Sequence, residues 1–127
     1  TIRQLGKGSQ GSVVLAVDTE GREVCIKTYI KSDMSAACVE ELKEEFETMQ
    51  LLSCERLAQA FEIFQDLRCY YMVNEAYYGG DFTSLQRRAA ENGVRMTEDW
   101  WRDIFRQCFQ ALEFMHEQAM MHCDIKE

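Results

Sequence analysis

At 127 residues, 46% hydrophobic and 28% charged, the chain carries enough apolar material for one domain or less and is too apolar to be disordered. A formal net charge of −8 excludes the clustered cations that nucleic acid or an anionic membrane would need from a partner. No apolar run approaches the ~18 residues that span a bilayer, so a membrane is not expected either.

Residues 1–31 read as strands. Ser12 to Val17 is a β-branched and apolar run, Asp18-Thr19-Glu20-Gly21 is a turn, and Glu23 to Ile30 is a second extended run. The composition changes at Ser32-Asp33, which predicts a helix start. Val39, Leu42, Phe46 and Met49 then recur at helical spacing, with Leu52 one turn on, so this helix should bury one stripe. Glu40, Glu41, Glu44, Glu45 and Glu47 occupy its other faces and hold much of the negative charge.

Two short extended runs follow, Ala60 to Gln65 and Cys69 to Asn74, separated by Asp66-Leu67-Arg68. Gly79-Gly80 breaks the pattern, and Asp81 can cap a short helix that runs to about Glu91 and ends at Asn92-Gly93. Thr97, with Glu98 and Asp99 in the first turn, starts the longest helix. Its expected apolar face is Trp101, Ile104, Phe105, Cys108, Leu112 and Met115. Strands and one helix precede helices only, which is an α+β order: a sheet-rich lobe leading into a helical one.

The six cysteines show neither C-x-x-C pairing nor metal-ligand spacing. Four fall in apolar patterns, where a free thiol behaves as a small buried hydrophobe. Reduced thiols in a cytoplasmic or nuclear setting are therefore expected, and His122-Cys123 is not read as a catalytic pair because neighbours in extended chain point apart. The chain opens on Thr1 rather than Met and lacks a signal-peptide pattern, which reads as a piece of a longer protein.

Several short motifs carry chemistry in combination. Gly6-x-Gly8-x-x-Gly11 lets a backbone fold closely over phosphates, since a glycine brings no Cβ. In a dinucleotide-binding fold such glycines lead into a helix; here they lead into Ser12-Val13-Val14-Leu15-Ala16-Val17, which prefers strand. Lys27 sits in an apolar strand, Val24-Cys25-Ile26-Lys27, where a solvated surface lysine is the ordinary reading. Glu75-Ala76-Tyr77-Tyr78-Gly79-Gly80-Asp81 and His122-Cys123-Asp124-Ile125-Lys126 complete the series. Each is weak alone; their order and spacing are not.

Together these motifs resemble the N-terminal half of a eukaryotic protein kinase domain of the Ser/Thr type. The resemblance covers the whole chain. It implies a partial kinase domain over residues 1–127: an ATP-binding lobe (1–74, an antiparallel sheet plus one helix), a hinge (75–81), and the start of the helical lobe (82–127). The implied nucleotide site comprises Leu5, Gly6, Gly8, Gly11, Val13, Lys27, Glu75, Tyr77 and Asp81. Lys27 would contact the α- and β-phosphates of ATP and pair with a helix glutamate, for which Glu45 fits best because Phe46, Met49 and Leu52 follow it in the family's pattern. Glu44 and Glu47 stay as competitors.

Asp124 would orient the hydroxyl of a protein substrate, and Lys126, two residues later, would steady the γ-phosphate as in Ser/Thr-specific members. Mg²⁺ is implied as well, with its ligands downstream of this sequence, so no metal ligand is expected within it. Two departures stand out. Asn74 occupies the position behind the ATP pocket where a larger apolar residue is usual. Cys123 replaces the arginine that commonly binds a phosphorylated activation loop, so switching by that route is not expected. A kinase-like scaffold without transfer, or a small-molecule kinase, would share the motifs seen here.

Overall fold

The computed structural model describes residues 1–8, 11–123 and 125. Its first unit, Thr1–Ser53 with Ala58–Ala76, is a five-stranded antiparallel sheet and one helix. The strands are β1 (Arg3–Gly8), β2 (Gly11–Val17), β3 (Glu23–Ile30), β4 (Ala60–Gln65) and β5 (Cys69–Glu75). They lie in the order β1-β2-β3-β5-β4, which puts β3 at the centre. The α+β architecture is the one the order of elements in the sequence predicts.

Two aspartates shape the hairpin turns. Asp18 Oδ1 accepts from the backbone N–H groups of Glu20 (2.8 Å) and Arg22 (2.9 Å), and its Oδ2 takes the Arg22 Nε at 2.7 Å. Asp66 repeats the device between β4 and β5. Its Oδ1 accepts from the N–H groups of Arg68 and Cys69, both at 2.7 Å, and its Oδ2 accepts from the Tyr71 hydroxyl at 2.8 Å. Both side chains satisfy backbone donors that the tight turn leaves unpaired, and this lowers both carboxyl pKa values.

The helix α1 (Ala36–Leu51) starts later than the sequence suggests. Lys31–Asp33 forms a single 3-10 turn, and Ser35 is the N-cap, its Oγ accepting from the Cys38 N–H at 3.2 Å. Ser35 prevails over Ser32-Asp33 because Lys31 is still tied to the sheet: its Nζ donates to Gln65 Oε1 and to the Asp66 carbonyl, each at 2.6 Å.

One face of the sheet carries a cluster of Ala16, Val24 and Val73 with Ile26 against it. The opposite face packs on α1 through Tyr29, Leu42 and Met72, joined by Phe46 and Met49. Of the predicted helix stripe, Leu42 and Leu52 are buried, whereas Val39, Phe46 and Met49 are half-buried. Full burial of a side chain such as Leu42 or Met72 stabilises by about 1.5–3 kcal/mol, so this seam holds α1 against the sheet.

The second unit, Cys54–Leu57 with Tyr77–Glu127, is helical. Asp81 caps α2 (Phe82–Glu91) by accepting the Ser84 N–H at 2.6 Å, and Thr97 caps α3 (Glu98–Glu117) by accepting the Trp100 N–H at 3.3 Å. Arg56 ties the short segment to α3 through Gln110, Nε to Oε1, at 3.0 Å. The expected apolar face of α3 is only partly covered. Met115 is buried and Trp101, Ile104 and Leu112 are half-buried, while Phe105 and Cys108 are exposed. Phe109, outside the expected stripe, is also exposed. Among the described residues no helix is long and apolar enough to cross a membrane, and none of the six cysteines is joined in a disulfide.

Candidate functional site

Alternation along β3 sets the geometry. Cys25, Lys27 and Tyr29 project to the face that meets α1, and Lys27 is flanked in register by Val13 on β2 and Met72 on β5. Its Nζ lies 3.8 Å from Glu45 Oε1, with the two side chains 44% and 48% exposed. Of the five clustered glutamates, Glu45 is the one in ion-pair contact with Lys27 among the described residues. The ammonium also lies 4.9 Å from the centre of the Tyr29 ring.

Burial of Lys27 works against its charge, but the Tyr29 phenol and the Glu45 carboxylate outweigh it and raise its pKa. A cavity of about 140 Å³ opens beside the pair, lined also by Asp33, Met34, Cys38, Glu41 and Leu42. Lys27 is thus a charged, partly desolvated cation at the edge of a small hollow. Such a group can hold a phosphate.

The glycine hairpin precedes it. Gly6 and Gly8 lie on β1, Gly11 opens β2 and pairs with Gly8, and Ser9 and Gln10 fall outside the described residues. Leu5 sits where the β1–β2 register shifts, and Val13 pairs with Gly6. A Cβ at Gly6 would meet nothing within 4 Å, so open space lies over that position. At Gly11 the sheet supplies a further reason for glycine. A Cβ there would fall 1.7 Å from the Thr28 carbonyl oxygen, and φ is +152°, so β3 itself demands it.

Glu75 ends β5 opposite Val24 and donates its N–H to the Gln59 carbonyl at 2.9 Å. It belongs to the first unit, whereas Tyr77, exposed, and Asp81, committed to its capping bond, belong to the second. Asn74 faces Cys25 across the sheet; its Nδ2 reaches the Met72 carbonyl at 3.4 Å, and its buried Oδ1 has no hydrogen-bond partner among the described residues. Asp124 and Lys126 lie outside the described residues. Cys123 just before them is exposed, with φ +57°.

Sequence reasoning passed over Cys25 and Tyr29. The signal was present in the two-residue period counted from Lys27, which puts both on its face of the sheet. Burial raises the Cys25 thiol pKa, opposed by the Lys27 charge. Among the described residues no group of three His, Cys, Asp or Glu side chains could hold a metal ion.

Comparison with known proteins gives this arrangement its context. The profile of the protein kinase domain matches residues 1–127. Calcium-dependent protein kinase 4 of Plasmodium falciparum (isolate 3D7) is 31% identical over 98% of this chain and 23% of its own length. CBL-interacting protein kinase 32 of Oryza sativa subsp. japonica is also 31% identical, over 98% of this chain and 28% of its own. The chain thus spans about a quarter of the length of these relatives. The crystal structure of Rad53 1-466 in complex with AMP-PNP superposes with a TM-score of 0.74 at 28% identity, covering 99% of this chain and 32% of that one. With a family match running from the first residue to the last, and the fold shared over nearly all of it, this chain belongs to the protein kinase domain family.

Proposed function

We propose that the chain is the nucleotide-binding part of an ATP-dependent Ser/Thr protein kinase, with the first helices of its helical lobe. Residues 1–74 form the ATP-binding lobe, 75–81 the hinge, and 82–127 the start of the helical lobe through the catalytic loop. The observation that carries the reading is the 3.8 Å pair between Lys27 and Glu45, set on the strand beside a glycine hairpin. The relatives are named protein kinases, and the Rad53 structure holds an ATP analogue.

The residues present suit ATP in three respects. Space is open over Gly6, Lys27 is held in its charged form, and the orphaned Asn74 Oδ1 is an acceptor suited to a ligand N–H. Glycine-hairpin backbone and Lys27 bind the phosphates, while Leu5 and Val13 pack on the adenine. Backbone groups of Glu75 and Tyr77 meet its edge, and Asp81 lies by the ribose. Asp124 orients the hydroxyl of a protein substrate, and Lys126 compensates charge on the γ-phosphoryl group. Mg²⁺, which the family implies, has no three-donor cluster among the described residues, and the roles given to these side chains do not run through it.

The test is phosphoryl transfer to a Ser/Thr peptide by the full-length protein. Asp124→Asn should lower turnover by about 10²–10⁴-fold, the range that general-base catalysis supplies. Lys27→Met should remove transfer with the melting temperature little changed. Unchanged turnover in both variants would sink the assignment.

A further inference from the structure

We propose that the aromatic face of Tyr29 is a second holder of Lys27, a positioning element that acts alongside Glu45. The inference deepens the reading of Lys27 as the phosphate-binding lysine and rests on it.

Glu45 by itself holds Lys27 loosely. Their charged atoms are 3.8 Å apart, and both side chains are nearly half exposed, so water competes for each. Tyr29 differs in both respects. It is 7% exposed and fixed between Leu42 and Met72, so its ring does not have to be ordered when the lysine arrives. The ammonium is 4.9 Å from the ring centre, within the ~6 Å over which a ring face attracts a cation. Partial desolvation strengthens that attraction, and Lys27 is flanked in register by the uncharged Val13 and Met72.

The Tyr29 hydroxyl is buried and has no partner of hydrogen-bond geometry among the described residues. It lies near enough to help raise the Lys27 pKa, and Tyr29→Phe separates that share from the ring's. The other ionisable groups facing this spot are few. Glu45, Glu41 and Cys38 come from α1, Asp33 from the 3-10 turn, and Cys25 from β3 itself. Of the three carboxylates, Glu45 favours the charged lysine, yet at 3.8 Å and nearly half exposed it fixes the position only loosely, whereas a rigid ring face fixes it further. Lys27 would thus be presented at one place before any phosphate binds. The cavity of about 140 Å³ beside the pair gives a small reagent a route to the amine.

The experiment reads the amine directly. The purified protein is trace-acetylated with acetic anhydride at about pH 9, and the peptides bearing Lys27 and the exposed Lys43 are quantified by mass spectrometry, Lys43 serving as reference. Three replacements at position 29 are compared: Tyr29→Phe, Tyr29→Leu, and a trifluorinated phenylalanine. The last keeps the ring's shape, and hence the packing, while withdrawing electron density from its face. Tyr29→Phe should leave the Lys27 rate within about twofold, and the other two should raise it about 3- to 10-fold, the effect of losing a partly desolvated cation–ring contact.

Equal rates across the series would overturn the proposal. So would a rise in Tyr29→Phe matching that in the fluorinated variant, because the hydroxyl would then be the active part. Should Tyr29→Leu fail to fold, the fluorinated ring against phenylalanine decides alone. Phosphoryl transfer by the full-length protein is measured separately. Absence of transfer together with the expected labelling series would refute the kinase reading and leave the ring contact standing.

Discussion

Gly11 and Thr28 meet so closely that no side chain fits between them: a Cβ on Gly11 would lie 1.7 Å from the Thr28 carbonyl oxygen. The obstacle is backbone in the central strand, which cannot swing aside. Gly11→Ala should therefore destabilise the fold by about 2–4 kcal/mol through overlap and backbone strain. Gly6→Ala faces open space and should cost under about 1 kcal/mol. Urea unfolding separates the two. A weakened ATP affinity in Gly6→Ala at unchanged stability would assign that glycine to ligand binding, whereas equal destabilisation in both would contradict the geometry.

Lys27 and Glu45 should contribute little to stability, and on the proposed reading their contact serves phosphate positioning. An ion pair this exposed contributes about 0–1 kcal/mol, so Glu45→Gln should barely move the unfolding midpoint. Transfer by the full-length protein should nevertheless fall more in Glu45→Gln than in Glu44→Gln or Glu47→Gln. If Glu44→Gln or Glu47→Gln proved the damaging change, the helix register at the site would have to be redrawn.

How far the sequence revealed all this depends on whether a feature is periodic or local. β3, from Glu23 to Ile30, was legible from its apolar and β-branched run, and the caps at Asp81 and Thr97 were legible because one side chain satisfies one exposed N–H. The start of α1 was not. Ser32-Asp33 and Ser35 are equally good caps by chemistry, and the choice is made by Lys31 reaching Gln65 and Asp66, contacts 34 and 35 residues away in the chain. Tyr29 is not legible as a neighbour of Lys27 from the motif, which ends at the lysine; only the two-residue strand period points to it. The bonds that Asp66 makes within its own turn depend on geometry that Asp66-Leu67-Arg68 does not show. The approach of Gly11 to the Thr28 carbonyl is not legible in the sequence, because no pattern shows which strand lies opposite.

Tyr71 should titrate late. Its hydroxyl donates to Asp66 Oδ2 at 2.8 Å, and the carboxylate, ahead of burial, pushes the phenol pKa up to about 12. A raised folded pKa means that its stabilising share is complete below the ordinary value of 10 and is lost as pH rises through about 12. Phenolate absorbance of the folded protein should include a tyrosine component ionising in that late range, and Asp66→Asn should bring that component back toward 10. Asp66 has the opposite sign. Its pKa is lowered by the Arg68 N–H, the Tyr71 hydroxyl and the Cys69 N–H, so its share is present above 3.8 and lost as acid takes the pH through the depressed value. A Tyr71 that ionised near 10 in the native protein would refute the hydrogen bond.

The exposed aromatic pair on α3 should govern self-association of the chain. Phe105 is 55% and Phe109 67% exposed, four residues apart on one face, beside Arg102, Arg106 and Glu113. Contiguous apolar surface of this kind drives association. Phe105→Ser with Phe109→Ser should reduce light scattering at a given concentration without lowering helix content, since neither ring is buried. Unchanged scattering would mean that association, if any, uses another surface.

Ala119 ends α3 in a conformation that suits glycine. Its φ is +58°, its N–H is donated to the His116 carbonyl at 2.9 Å, and the Met120 N–H is donated to the Met115 carbonyl at 3.0 Å. That is the paired bonding of a Schellman terminus, in which two otherwise unpaired carbonyls are satisfied by a left-handed residue. An alanine Cβ crowds the following carbonyl oxygen there, at about 1–2 kcal/mol. Ala119→Gly should thus stabilise the protein by roughly 0.5–1 kcal/mol, the gain from relieved crowding less the extra unfolded-state freedom of glycine. The sequence places the end of this helix near His116, but without the usual glycine it does not show the left-handed turn. Chemical denaturation reads the change directly, and a loss of stability in Ala119→Gly would show that the helix does not end in this turn in solution.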